Sequence, residues 1–227
     1  MDQKETLTAR FRRFSESEMS SKTALISFDG NGCEQRLTYK AFYDSIMRAG
    51  AYLRENGLAG KGSRCLVVSD DDMLRVIVLF FAVTAAGAAA VPVQADVVAD
   101  KFNRCKYIAE NSGADTILAE SSCEDMRRLF PDKQVVKMSD CLSYRPKREP
   151  EFCDSPGDEF MLLYTSGSTG EPKAVIYTHA MIGSFAELYS KKFHRDPSSA
   201  AIVALPIHHA FGNGCTFSPS CGAADLP

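Results

Sequence analysis

The sequence predicts an α/β fold in which parallel-rich sheets are flanked by helices, wound on both faces. Two observations carry that prediction. Short uncharged apolar runs alternate with segments whose apolar residues recur at helical spacing. The spacers between the runs are also long enough for right-handed crossovers, which bring successive strands into parallel register.

The elements follow in order. Thr38 is the expected N-cap of a helix carrying Phe42, Ile46, Ala49 and Leu53, and Asn56-Gly57 ends it. A buried strand is expected at 65–68, and Ser69 to Asp72 supply acidic caps for the next helix. Residues 76–93 are uncharged and close to the minimum length of a membrane span. Gly87 and Pro92 punctuate the run, so it parses as a buried helix ending near Ala86, a glycine cap and a strand at 89–93. A helix with Phe102, Cys105, Ile108 and Ala109 should end at Gly113, followed by a strand at 116–119, a helix at 123–129 and a strand at 134–138. Residues 139–158, with Pro146, Pro150 and Pro156, break the rhythm. They divide a first α/β lobe (1–138) from the start of a second (159–212), and 213–227 forms an atypical tail rich in small and polar residues. The second lobe is expected to hold strands at 160–164, 174–178 and 201–205, with a helix at 179–193.

Composition narrows the function classes. The chain has 227 residues, 45% hydrophobic and 24% charged, an ordinary globular balance. A formal net charge of -3 without a basic stripe argues against nucleic acid as a partner. The 8 cysteines are scattered with no CxxC pair, and the arginine-bearing N-terminus (Arg10, Arg12, Arg13) has no apolar signal core. A reduced, cytoplasmic protein with no membrane span is therefore expected.

Chemistry concentrates at Thr165-Ser166-Gly167-Ser168-Thr169-Gly170-Glu171-Pro172-Lys173, between two expected strands. Gly167 and Gly170 permit positive φ and let backbone N–H groups approach an anion, the hydroxyls add donors, and Lys173 brings a full charge. The Walker phosphate loop fails here: Pro172 precedes the lysine where glycine is required, and Ala174 follows where a hydroxyl is required. That motif also opens a helix, whereas this loop should join two strands.

The segment resembles the AMP-binding signature of the adenylate-forming superfamily, which includes acyl-CoA synthetases, fatty acyl-AMP ligases, luciferases and peptide-synthetase adenylation domains. The resemblance runs from about 37 to 212. It takes in Leu37-Thr38-Tyr39, the stretch from Gly60 to Arg64, Val91-Pro92-Val93 and the continuation through Thr178-His179. It implies the incomplete N-terminal large domain of such an enzyme. Leu205 to Gly212 is similar to the family's P-x-x-H-x-x-G segment, with His209 on its histidine. By resemblance His209 lines the acyl pocket near the reacting carboxylate, while Phe211 and Gly212 shape its wall. His208 lies off the motif; His179 is read as a helix-start residue and His194 as a surface residue.

The resemblance further implies attack of a small carboxylic acid on ATP with Mg2+, the loop holding the β- and γ-phosphates. The acyl group then passes to coenzyme A or to a carrier-protein thiol, with acyl carrier protein as a partner. Peptide-synthetase domains usually place Phe-Asp where this chain has Pro206 to Gly212; its absence favours a fatty, aryl or other simple carboxylic acid over an α-amino acid. The family's adenine, magnesium, ribose, hinge and C-terminal lysine segments have no counterpart in the sequence, and no metal ligands are assigned. A non-catalytic nucleotide-binding or interaction module is therefore the competing expectation.

Overall fold

The computed structural model describes residues 5–29, 31–69, 71–94, 102–165, 171–194, 199–203 and 207, with backbone alone at 102–103. The chain opens with helix α1 (Leu7–Ser15), a hairpin of β1 (Thr23–Phe28) and β2 (Glu34–Thr38), and helix α2 (Tyr39–Glu55). The central alternation comprises β3 (Arg64–Ser69), α3 (Met73–Ala85), β4 (Ala89–Gln94), α4 (Phe102–Ser112), β5 (Thr116–Ala119), α5 (Cys123–Leu129), β6 (Gln134–Lys137) and α6 (Met138–Ser143). It closes with β7 (Glu159–Thr165), β8 (Lys173–Thr178) and α7 (His179–Lys192).

Six strands form one sheet in the order β6-β5-β3-β4-β7-β8, parallel throughout except for β8, which runs antiparallel to β7. Successive side chains on a strand point to opposite faces, so each strand serves two cores. Cys65, Val67, Ala90, Leu118 and Phe160 pack with α1, α2, α3 and α6 on one face. Leu66, Val68, Val91, Ile117 and Leu162 pack with α4 and α5 on the other. Burial on both faces is why these strands read as continuous apolar runs.

The caps form as their chemistry requires. The Thr38 hydroxyl accepts from Ala41 N at 3.2 Å and the Asp72 carboxylate from Arg75 N at 3.1 Å, each satisfying a first-turn donor. The apolar run 76–93 divides between α3 and β4, and no helix of the described residues is long and apolar enough to cross a membrane. Gly87 makes the break at φ +90, a conformation that side-chain-bearing residues rarely adopt. At Gly50 a Cβ would stand 3.1 Å from the Ala82 carbonyl, so its absence permits the close contact of α2 with α3.

The structure changes two expectations, at Met138 and at 201–203, and shows what the 139–158 segment joins. The divide at 139–158 does not interrupt the sheet: β4 and β7 are hydrogen-bonded neighbours, so strands before and after it share one sheet. Arg64 reinforces the junction, donating to both Glu159 oxygens at 2.9 and 2.8 Å and to the Ser112 carbonyl at 2.9 Å. The segment itself starts inside α6 and then runs along the helices, with Cys153 N donating to Ala85 O at 2.8 Å. Met138, expected to end a strand, begins α6 instead. Residues 201–203, expected to open a third strand, are irregular; among the described residues no strand pairs with them, and Ile202 is 93% exposed. Residues 204–206 lie outside the described residues.

Candidate functional site

The candidate site is built on the β7–β8 hairpin. Its ladder runs from Met161↔Tyr177 to Thr165↔Lys173, and the Thr165 hydroxyl donates to the Lys173 carbonyl at 3.4 Å across the closing rung. The signature therefore bridges two antiparallel strands, as its sequence context predicts, and does not open a helix. Thr165 and Lys173 are both exposed at the mouth of the loop. Lys173 makes no ion pair among the described residues. Ser166, Gly167, Ser168, Thr169 and Gly170 lie outside the described residues, as does His209.

The sheet directs this loop to a particular edge. β4 and β7 are parallel with Ala90 opposite Met161, and Gln94 and Thr165 each follow that rung by the same number of residues. The carboxyl ends of both strands thus open on one edge, where open α/β sheets place their ligand crevices. Tyr164, the last buried residue before the loop, is 6% exposed, and its hydroxyl donates to Asn111 Oδ1 of α4 at 2.7 Å. That bond fixes the strand end from which the loop departs. Tyr164→Phe should lower stability by about 1 kcal/mol, read as a shift in the urea midpoint, because Asn111 loses its donor.

A second cluster was not singled out from sequence. His179 heads α7 as expected, yet it is 1% exposed, and its Nδ1 lies 3.4 Å from Oδ2 of Asp154, itself 8% exposed. Among the described residues neither imidazole nitrogen and neither carboxylate oxygen makes a hydrogen bond of good geometry, this approach included, although the nearby Thr6 and Thr8 hydroxyls favour the carboxylate. Burial pushes the Asp154 carboxyl up to about 6, against an opposing pull from the hydroxyls of Thr8 and Thr6. Burial pushes the His179 imidazole down to about 4, opposed by the Asp158 carboxylate. His194, in contrast, is exposed, with φ 48.

These shifts give opposite pH dependences. Folded Asp154 holds its proton up to about 6 against an ordinary value of 3.8, so its stabilising contribution is present at low pH and is lost as pH rises through about 6. Folded His179 resists protonation down to about 4 against an ordinary 6.5, so its contribution is present above 6.5 and is lost as pH falls toward 4. In the native chain the two slopes oppose each other. Relative to it, Asp154→Asn should lose stability more steeply between pH 6.5 and 4.5, and His179→Asn less steeply, by on the order of 2 kcal/mol in urea titrations across that range.

A doubly wound sheet with a serine- and glycine-rich hairpin at its carboxyl edge defines the class as a nucleotide-binding α/β protein. The AMP-binding enzyme family model matches residues 11–226, nearly the whole chain, and the chain belongs to that family of adenylate-forming enzymes. The match begins before the Leu37 expected from the signature blocks and runs to 226, into the tail set apart at 213–227.

Among curated proteins the chain is similar to bacitracin synthase 2 of Bacillus licheniformis, 28% identical over 159 residues, covering 70% of this chain and 6% of that protein. Among solved structures it is similar to a fatty acyl-adenylate ligase from L. pneumophila in complex with acyl adenylate and pyrophosphate. The TM-score is 0.79 at 24% identity, covering 96% of this chain and 39% of that one. It is also similar to McyG A-PCP complexed with phenylalanyl-adenylate, with TM-score 0.84 at 19% identity, covering 99% and 37%. At these identities the structural likenesses establish the fold. The chain spans well under half the length of each of these proteins.

Proposed function

We propose that this chain forms the phosphate-holding part of an ATP-dependent carboxylic acid ligase. The observation that carries the reading is the β7–β8 hairpin, whose closing rung sets exposed Thr165 and exposed Lys173, which makes no ion pair among the described residues, at the mouth of the signature loop. In the proposed reaction a carboxylate oxygen attacks the α-phosphorus of ATP. The bond from that phosphorus to the bridging oxygen breaks, pyrophosphate departs and an acyl-adenylate remains. Thr165, Ser166, Ser168, Thr169 and Lys173, with backbone N–H groups at Gly167 and Gly170, hold the β- and γ-phosphates and stabilise the charge of the leaving pyrophosphate. Mg2+ is proposed to enter with the nucleotide, bound to its phosphates, where it would offset their charge.

The acid is proposed to be a fatty, aryl or other simple carboxylic acid, because Pro206 to Gly212 offers no aspartate for a substrate amine. His209 is proposed to face its carboxylate. A thiol, of coenzyme A or of a carrier protein, is the proposed acceptor; the A-PCP arrangement of McyG supports the carrier. ATP–pyrophosphate exchange across fatty, aryl and amino acids tests the reading. Exchange with fatty or aryl acids supports it, and exchange confined to amino acids overturns the acid class. Mg–ATP binding without exchange for any acid leaves a nucleotide-binding module in place of a ligase.

A further inference from the structure

The buried pair formed by His179 and Asp154 takes no part in the proposed reaction. We propose that this pair is a positioning latch: it locks the start of α7 to the 151–158 segment and thereby fixes β8, the strand that carries Lys173. Its relevance to catalysis rests on the nucleotide reading above, whereas its mechanical role does not.

The surroundings explain why β8 needs such a lock. Among the described residues β8 ends the sheet with β7 as its neighbour, and four of its six residues, Lys173 to Ile176, are exposed. Packing therefore holds it weakly, and its far end is set where the chain turns into α7. The turn is clasped by the 151–158 segment: His179 N donates to Asp158 O at 3.1 Å and Ala180 N to Pro156 O at 2.8 Å. Below it the Phe160 ring of β7 meets the imidazole edge-on, with centroids 4.9 Å apart. On the α1 side the backbone comes close, since a Cβ at Gly183 would stand 3.4 Å from Glu5 O. Two ionisable side chains buried this deeply are costly, and an apolar pair would pack at least as well, so the pair is not there for packing alone. Their Nδ1 to Oδ2 approach gives direction to a joint that packing alone would leave loose.

The other charged groups are accounted for. Asp158, on the same segment as Asp154, is held by Lys61 at 3.3 Å, while α1 and its approach bring Arg10 and Glu5, 3.7 Å apart. β7 presents the uncharged Phe160, and the first turn of α7 has no acidic residue.

Amide hydrogen exchange on the full chain at pH 7.5 tests the latch without nucleotide. His179→Ala should speed exchange in β8 and the first turns of α7 at least tenfold while leaving β3 and β5 unchanged. His179→Asn, which keeps a donor near the position of Nδ1, should restore most of the protection. Asp154→Asn, nearly the same shape, should loosen the same amides about threefold and remains informative if the alanine variant fails to fold. Native exchange in β8 of all three variants overturns the proposal, as does acceleration spread evenly over the sheet or a failure of His179→Asn to restore protection. Mg–ATP titration then separates the two readings. A Kd raised at least threefold in His179→Ala and recovered in His179→Asn supports positioning of the phosphate site. Local loosening with unchanged affinity overturns that role. A native chain that binds no Mg–ATP, yet shows the exchange pattern, overturns the nucleotide reading and supports the latch as a mechanical joint.

Discussion

Replacing Lys173 with alanine is expected to weaken Mg–ATP binding by roughly 10- to 100-fold, with little change in folding stability. The magnitude follows from a hydrogen bond to a charged group, worth about 1.5–3 kcal/mol, at about 1.4 kcal/mol per factor of ten. Stability should be spared because Lys173 is exposed and makes no ion pair among the described residues, so its removal uncovers no buried partner. Titration calorimetry on both proteins checks the affinity, and urea unfolding checks the control. Lys173→Arg should fall between them, since it keeps the charge but replaces a compact ammonium with a planar fork. Equal affinity of native and alanine proteins would remove Lys173 from the phosphate site.

The second large effect lies in the core beneath the hairpin. Phe81 of α3 is 1% exposed and meets Phe11 of α1, Phe42 of α2 and its neighbour Phe80 edge-on, at centroid distances of 4.9, 5.8 and 5.5 Å. Phe160 of β7 joins the cluster at 6.3 Å. Phe81→Ala opens a cavity where three helices and the site-bearing strand converge, and it should cost about 3–5 kcal/mol. Domains of this kind are stable by only about 5–15 kcal/mol, so the urea midpoint should fall steeply. Phe81→Leu should recover most of the loss. A midpoint shift corresponding to less than about 1 kcal/mol for the alanine variant would mean that the cluster is not packed as described.

Legibility in the sequence followed the physics of each element. Thr38 and Asp72 were readable because a capping side chain sits at a fixed offset from the turn it satisfies, and both caps form. The apolar run at 76–93 was readable because only a glycine reverses the chain at φ +90 without strain. Helix α1 was not recognised, since Arg10, Arg12 and Arg13 dominate its composition. Its information lies in the spacing of Leu7, Phe11 and Phe14, which become 1%, 2% and 2% exposed. The β1–β2 hairpin carried a turn signal in Asp29 to Gly32 that passed unread. Its Asp29 carboxylate accepts from Asn31 N and Cys33 N, both at 2.9 Å, and Gly32 lies at φ +78.

The site divides in the same way. The chemistry of the loop was legible, because hydroxyls, glycines and a lysine in that order suit a polyphosphate whatever the surrounding fold. Its placement was not, because nothing local says that β7 joins the sheet beside β4 across the proline-rich segment; long-range contacts such as Arg64 with Glu159 decide that. The His179–Asp154 pair was invisible for the same reason. Each residue has an ordinary local role, one heading a helix and one in a connector, and only packing of α7 against that connector brings them within 3.4 Å.

The central claim is the reaction class, and the products of ATP turnover test it most directly. The protein, incubated with ATP, Mg2+ and a panel of fatty and aryl acids, should give the mass of an acyl-adenylate together with pyrophosphate. ADP and inorganic phosphate, with no adenylate for any acid, would contradict the account, since those products require cleavage at the terminal phosphate and not at the α-phosphorus.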